Sequence, residues 1–395
     1  MKKERKSRSH RLIRVIAISI ISLALLCLVL VVIAAIANQN LPTQSGIADR
    51  LSEIEKARLA EAFHLRQELG GEVWEGWGIA DIPIIVYNES YAFLVGYPDP
   101  PPGWIRIPKE VKLGGSWELA PGDSFQGQAY YRQALPDPEK TPENFTVLVG
   151  DQWVATLQTK EYAEIAFING FGEELPPPIR PIFPYRLAWN FLGGDSEVYI
   201  GGLAHESFHA YQGQKAKARL YQAEEVNRLQ SQYPWADTSF EAAWKDELTA
   251  LYDATQAENE SAVAEIAQRF LHLRTQRRQD ANLSADLIDY ERQREWLEGL
   301  AKYTELELLK KAAETQDYVP VLADDPQFED YESSPRYWSQ QLVEVKRSSG
   351  REGDIRFYYS GRTIAVLLDR LMPGWKDQVW QEGVWLEDLL LEAVK

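Results

Sequence analysis

The most prominent hydrophobic pattern of the chain is an uninterrupted apolar run near its start. Val15 to Ala37 reads VIAISIISLALLCLVLVVIAAIA and contains no charged side chain. A helix of this length measures about 34 Å, which is enough to cross a hydrocarbon core of about 30 Å. The pattern therefore predicts a transmembrane anchor over residues 15–37.

The flanks of this run predict its orientation. Residues 1–14 hold seven lysines or arginines and one acid, Glu4, for a net charge of +6. Basic flanks stay on the cytoplasmic side of a membrane, so we expect a cytoplasmic tail at 1–14 and the rest of the chain outside the cytoplasm. Ala35 to Ala37 resembles a signal-peptidase site. The run is longer than the apolar part of a cleaved signal, however, which favours an uncleaved single-pass anchor in the lipid bilayer.

After the anchor, the periodicity changes twice. Apolar positions recur at helical spacing from Ile47 to Leu69, which predicts a linker and stalk helix within residues 38–72. Residues 73–194 instead contain short apolar runs between prolines and glycines, such as IPIIVYN, FTVLVG and QWVATLQ. They predict a β-rich subdomain with a small, mostly antiparallel sheet. We expect the EIAFIN segment, Glu164 to Asn169, to be an edge strand that could pair with an extended peptide.

Helical patterns dominate the remainder, residues 195–395. They are interrupted near Tyr233 and in an acid-rich loop over residues 317–335. Asp195 is a residue type that commonly caps a helix N-terminus. The predicted fold class is therefore α+β: a transmembrane helix, a small sheet subdomain, and a largely helical domain.

Charge and cysteine content narrow the classes of partner. The tail contributes +6 to the chain's net charge of −17, so residues 38–395 carry −23. A surface this acidic makes nucleic acid an unsuitable partner. The single cysteine, Cys27, lies inside the apolar run. Residues 38–395, here called the body, therefore contain no disulfide, and their stability must come from the hydrophobic core.

A metal-binding pattern occurs in the segment VYIGGLAHESFHAYQ, which contains H-E-x-x-H in a helical context. His205 and His209 then lie one turn apart on the same helix face, where two imidazoles can hold one ion. Neutral imidazole nitrogens suit Zn²⁺, and three protein ligands leave a fourth position for water. Glu206 is placed to act as the general base on that water.

The third ligand is predicted to be a carboxylate. A metzincin would have Gly at position 212 and His at 215, but this chain has Gln212 and Lys215. The best candidate is Glu298, in the predicted helix EWLEGLAKYTELELLKK. Gly299 follows it, and a glycine inside a helix suggests close packing against another backbone, which a neighbouring metal-binding helix would explain.

Two further glutamates enter the prediction of this site. Glu305 projects from the same helix face as Glu298 and could accept a hydrogen bond from a ligand imidazole. Glu247, in KDELTALYDA, is an alternative third ligand.

These motifs resemble the gluzincins, in particular the aminopeptidase N type, whose signature runs HExxH and then WLNEGFA-x-Y-x-E. The segment WLEGLA at 296–301, followed by Tyr303 and Glu305, is similar to it with one residue missing before the glutamate. The resemblance implies that Glu298 is the third zinc ligand. It also relates RFYYSGRTIAVLLDRL to the family's Y-x-x-G, which implies that the Tyr358 hydroxyl stabilises the oxyanion. Tyr359 is the neighbouring alternative, and either ring could be an ordinary core aromatic.

The chain also departs from that family. His209 and Glu298 are separated by 88 residues, which requires a helical insertion at about 213–290, and no GAMEN-like segment precedes the motif. Aminopeptidase specificity is therefore not implied.

The sequence favours a membrane-anchored zinc metallopeptidase that hydrolyses peptide bonds of a peptide or protein substrate outside the cytoplasm. The alternative is a non-catalytic zincin-like binding or scaffold protein, although Glu206 would have no role in it. Zinc-dependent hydrolysis of another kind of bond stays open, as does the oligomeric state.

Overall fold

The computed structural model describes residues 18–395 apart from residues 20, 24, 27, 138, 139, 323 and 333. The predicted basic tail, residues 1–14, lies outside the described residues, as do residues 15–17 of the predicted anchor and Cys27. The chain divides into two compact units. The first comprises residues up to Gly46 together with Lys160–Gly194, and the second comprises Ile47–Thr159 and Asp195–Lys395.

The strands follow one another along the chain and most helices come after them, which confirms the predicted α+β class. In chain order the elements are α1 (Ile21–Asn40), α2 (Glu53–Val73), β1 (Ile84–Tyr87), β2 (Tyr91–Val95), β3 (Trp104–Arg106), β4 (Val111–Leu113), β5 (Glu118–Leu119), β6 (Tyr131–Ala134), β7 (Phe145–Val149), β8 (Gln152–Gln158), α3 (Lys160–Glu174), α4 (Tyr185–Leu192), α5 (Ser196–Lys215), α6 (Lys217–Glu225), α7 (Thr238–Gln256), α8 (Glu260–Asp280), α9 (Ala285–Arg294), α10 (Leu300–Glu314), α11 (Ser334–Arg347), α12 (Ile355–Leu371) and α13 (Leu386–Ala393).

The first unit contains α1, which is long and apolar enough to cross a membrane. It also contains α3, and this helix corrects the sequence prediction, because Glu164 to Asn169 are helical and form no edge strand. The buried Ile165 and Ile168 are three positions apart, and Phe167 stacks on Phe171 with ring centroids 5.4 Å apart. The apolar side chains of this segment thus follow the helical period, which the short run EIAFIN did not reveal.

The second unit contains a sheet with the strand order β4-β3-β7-β8-β1-β2-β6-β5. Neighbouring strands are antiparallel except for β1 and β8, so the sheet is mostly antiparallel as predicted. Helix α5 packs against β8 and β7. A Cβ atom on Gly213 of α5 would lie 2.5 Å from the ring of Trp153 on β8, so this close approach requires glycine.

The helices of the second unit surround α5 on its other side. α2 and α10 both pack against α5, and α12 packs against α10. α2 begins at Glu53, where Ser52 caps it by accepting a hydrogen bond from the Glu55 amide at 3.3 Å. The predicted insertion at about 213–290 contains α6, α7, α8 and part of α9.

A network of buried ion pairs joins α7, α8 and α13. Arg274 contacts Glu247 at 2.7 Å, Glu295 at 2.6 Å and Glu387 at 3.0 Å. Arg277 also contacts Glu247, at 2.7 Å. Buried charges are costly unless they are paired and hydrogen-bonded, so each of these carboxylates has a structural role.

We expect Glu387→Gln to destabilise the second unit in a pH-dependent way. Burial opposes ionisation of Glu387, but Arg274 and Arg278 outweigh it and lower its pKa to about 2, from the ordinary 4.5. A depressed folded-state pKa contributes stability above about pH 4.5 that is lost as the pH falls toward 2. The substitution should lower the free energy of unfolding by about 3 kcal/mol at pH 7, with a smaller effect at acid pH.

Urea unfolding of the full chain in detergent measures this effect. Glu382→Gln, at an exposed position nearby in the chain, is the control and should unfold like the wild type. Equal stability of Glu387→Gln and the wild type at pH 7 would show that the network does not stabilise the fold.

Candidate metal centre

Helix α5 carries both histidines of the H-E-S-F-H segment into the interior. His205 and His209 are 6% and 1% exposed, so both imidazoles are removed from solvent. Their Nε2 atoms lie 3.1 Å apart. The ring of Phe145, from the start of β7, packs on His209 with centroids 4.7 Å apart and limits its rotation.

Glu298 reaches the histidines from a π-helical turn, Glu295–Gly299, which joins α9 to α10. Such turns are rare and are frequent at functional sites. A Cβ atom on Gly299 would lie 2.5 Å from Gly361 Cα. The sequence predicted close backbone packing here, but the neighbouring backbone is that of α12 and not that of the histidine helix.

The three side chains converge with the spacing of a metal site. Glu298 Oε2 lies 3.3 Å from His209 Nε2 and 3.5 Å from His205 Nε2. Ligands of a tetrahedral zinc ion, with bonds of about 2.0–2.2 Å, are about 3.4 Å from one another. Glu298 Oε2 is buried and accepts no hydrogen bond from the described part of the chain. His205, His209 and Glu298 could therefore hold a metal ion.

Each imidazole has a hydrogen-bond acceptor at its Nδ1 atom, which orients the ring. Glu305 Oε2 lies 3.1 Å from His205 Nδ1, on the side expected from the sequence. Gln212 Oε1 lies 2.8 Å from His209 Nδ1. Gln212 is itself fixed, because its Nε2 donates to the Trp296 and Leu297 carbonyls at 2.9 and 3.2 Å. When each Nδ1 donates its proton, both Nε2 atoms present lone pairs to one point.

Arg294 holds the other oxygen of Glu298. Its Nη2 donates to Glu298 Oε1 at 2.7 Å and to Asp354 Oδ2 at 2.7 Å, and its Nη1 donates to Glu224 Oε1 at 3.0 Å. Burial opposes ionisation of Glu298, yet the charges of His209 and Arg294 hold its pKa well below the usual range. Glu298 is therefore an anion with one oxygen directed at the histidines.

The electrostatics of the cluster favour a positive charge at the centre. Burial opposes protonation of His205, but the nearby carboxylates of Glu298 and Glu305 outweigh it and raise its pKa to about 10. Burial likewise opposes ionisation of Glu305, whereas Lys302 and His205 lower its pKa to about 2. Two carboxylates thus stabilise a cation here. A divalent ion would supply that charge while leaving the imidazoles neutral.

Glu206 and Tyr358 lie beside the cluster, and both residues are half-buried. Burial raises the pKa of Glu206 to about 8 against the opposing charge of His205, and its Oε2 lacks a hydrogen-bond partner among the described residues. The Tyr358 ring lies 5.4 Å from that of His205. Burial and the carboxylates of Glu298 and Glu206 raise the pKa of Tyr358 well above its usual value, so the phenol keeps a proton that it can donate.

The two alternative site residues from the sequence analysis, Glu247 and Tyr359, lie outside the cluster. Both oxygens of Glu247 contact arginines at 2.7 Å, one Arg274 and the other Arg277. Glu247 is not part of the histidine cluster, so the prediction that it could be the third ligand is wrong. The Tyr359 hydroxyl donates to Gln341 on α11 at 2.8 Å, away from the metal ligands.

Sequence reasoning missed three groups that shape this centre: Gln212, Arg294 and Asp354. The sequence could have indicated two of them, since residues three or four positions apart are neighbours on a helix. Gln212 follows His209 by three positions, and Arg294 precedes Glu298 by four. Asp354 had none, since only the packing of α12 brings it to Arg294.

Comparisons with models of protein families, with curated proteins and with solved structures find no match to the chain.

We expect Gln212→Ala to weaken metal binding without removing a ligand. The loss of its carboxamide frees His209 to rotate, and such outer partners are typically worth about 10–100-fold in metal affinity. Competition between the full chain in detergent and a zinc-sensitive dye measures the change. The matched control is Gln214→Ala, two residues further along α5 at an exposed position. Equal affinities of both variants would argue that Gln212 does not orient the imidazole.

Proposed function

We propose that the protein is a membrane-anchored zinc metallopeptidase in which His205, His209 and Glu298 hold Zn²⁺. The observation that carries the proposal is the convergence of these three ligands on one point. One oxygen of Glu298 there has no hydrogen-bond partner among the described residues, and Glu305 and Gln212 orient the two imidazoles through their Nδ1 atoms. Bound zinc would polarise a substrate carbonyl and acidify a water molecule.

Glu206 is the proposed general base. It follows the ligand His205 directly on α5, and the residue is half-buried. One of its oxygens has no partner in the described part of the chain. The positive charge of a bound ion would favour the ionised form of Glu206. In that form Glu206 would take a proton from the attacking water and return it to the amine nitrogen as the peptide bond breaks.

Tyr358 is the proposed oxyanion donor. Its phenol stays protonated beside Glu298 and Glu206, so it can donate a hydrogen bond to the carbonyl oxygen as negative charge develops there. The resemblance of WLEGLA to the gluzincins supports Glu298 as the third ligand, and that of the Y-x-x-G segment supports Tyr358 as the oxyanion donor. Together they support a zincin-like catalytic domain.

The body is proposed to work outside the cytoplasm. Helix α1 could span a membrane by its length and composition, and the +6 charge of residues 1–14 favours their retention in the cytoplasm. Protection of the body from protease added to intact cells would contradict this orientation.

Two substitutions test the catalytic proposal with zinc content as a second readout. Glu206→Gln and Tyr358→Phe should each lower kcat for cleavage of a peptide library by about 10²-fold or more, because each removes a group that acts in the transition state. Zinc content should stay near that of the wild type. Tyr359→Phe is the matched control, since its hydroxyl contacts Gln341, and its activity should stay within a few-fold.

The outcomes separate the alternatives. Zinc binding without cleavage by the wild type would favour the non-catalytic binding protein. Equal, small effects at Tyr358 and Tyr359 would remove Tyr358 from the mechanism and leave the metal site in place.

A further inference from the structure

Helix α4 presents apolar side chains to solvent. Leu187, Phe191 and Leu192 are 69%, 87% and 64% exposed, and Ile179, just before the helix, is 42% exposed. Leu187 and Phe191 are four residues apart and therefore share a face. Single exposed apolar residues are common on protein surfaces, but several on one eight-residue helix indicate a contact surface.

Aromatic side chains of α3, α4 and the segment between them hold this surface in place. Phe171 packs on Phe183 with ring centroids 5.0 Å apart, and Phe183 packs on Tyr185 at 5.1 Å. Trp189 packs on Phe167 of α3 at 5.6 Å. These rings face one another, so α4 is anchored on its inner side and its exposed face is not a frayed end.

Hydrogen bonds fix the same segment to the end of α1. Asn38 Nδ2 donates to the carbonyls of Pro181 and Phe183 at 3.0 and 2.8 Å. Arg186 Nη2 donates to the Asn40 carbonyl at 2.8 Å. Asn38 is the first polar residue after the apolar run. A residue at that point of a membrane-spanning helix lies where the hydrocarbon core meets the headgroups.

The charge of the segment suits a lipid surface. Residues 176–192 contain Arg180 and Arg186 and no acidic residue, although the chain carries a net charge of −17. Apolar side chains accompanied by arginines are typical of helices that lie in the membrane interface, since the guanidinium can reach phosphate while the apolar face enters the acyl boundary.

We propose that residues 176–192 form a second membrane contact, in which the Leu187–Phe191 face of α4 inserts into the bilayer surface beside α1. The inference rests on the proposed anchoring by α1. With two contacts instead of one, the first unit would be held against the bilayer and could not turn freely at the end of the anchor.

Spin labels in lipid nanodiscs test this contact. The full chain, with Cys27→Ser to remove the native thiol, is placed at one copy per disc in equal parts of phosphatidylcholine and phosphatidylglycerol. A nitroxide is attached at Phe191→Cys, and its collisions with oxygen, which concentrates in lipid, are compared with those of a water-soluble nickel chelate. Leu28→Cys in α1 is the lipid reference, and Glu173→Cys, exposed on α3, is the water reference.

We expect the oxygen-to-nickel collision ratio of the Phe191 label to exceed that of the Glu173 label several-fold and to approach that of the Leu28 label. A ratio equal to that of the Glu173 label, with the Leu28 label in lipid, overturns the inference and leaves the anchor intact. Screening from both reagents indicates a protein contact and also overturns it. A Leu28 label in water overturns the anchor proposal itself.

Discussion

The ion pair between Arg294 and Glu298 joins the candidate metal centre to the surrounding helices. One oxygen of Glu298 lies 2.7 Å from Arg294, and the other faces the two histidines. Arg294 also binds Asp354, just before α12, and Tyr358 lies one turn further along that helix. A single buried guanidinium therefore fixes both the proposed third ligand and the helix of the proposed oxyanion donor. Its charge also compensates carboxylates that would otherwise be buried without a partner.

The backbone around this ion pair is equally constrained. The π-helical turn brings Glu298 toward α5 while the neighbouring Glu295 contacts Arg274 at 2.6 Å and Ser360 at 2.5 Å. Gly299 and Gly361 allow the turn and α12 to touch, and a side chain on either would collide with backbone atoms. Interiors packed this closely transmit small displacements, so the geometry of the ligands depends on residues that never contact them.

The sequence predicted those parts of the site that depend on local spacing. The one-turn separation of His205 and His209 is a property of any helix, and the glycine after Glu298 indicated a close backbone contact. The partner of that glycine depends on how distant helices pack, and the sequence could not identify it. The roles of Glu247 and of Glu164 to Asn169 were missed for the same reason, because a short pattern does not determine its tertiary surroundings. Gln212 served only to exclude a metzincin, although it orients His209 in the structure.

The proposed mechanism depends on two imidazoles and Glu298 holding one zinc ion. X-ray absorption at the zinc edge, on the full chain in detergent with one equivalent of Zn²⁺, measures the ligands of that ion. We expect one tightly held ion with nitrogen and oxygen ligands at about 2.0–2.1 Å, two imidazoles among them, and no sulfur. We also expect loss of most of this ion in Glu298→Gln but not in Glu314→Gln, which alters an exposed glutamate at the end of α10. Substoichiometric zinc in the wild type, or an unchanged spectrum in Glu298→Gln, would contradict this assignment of ligands.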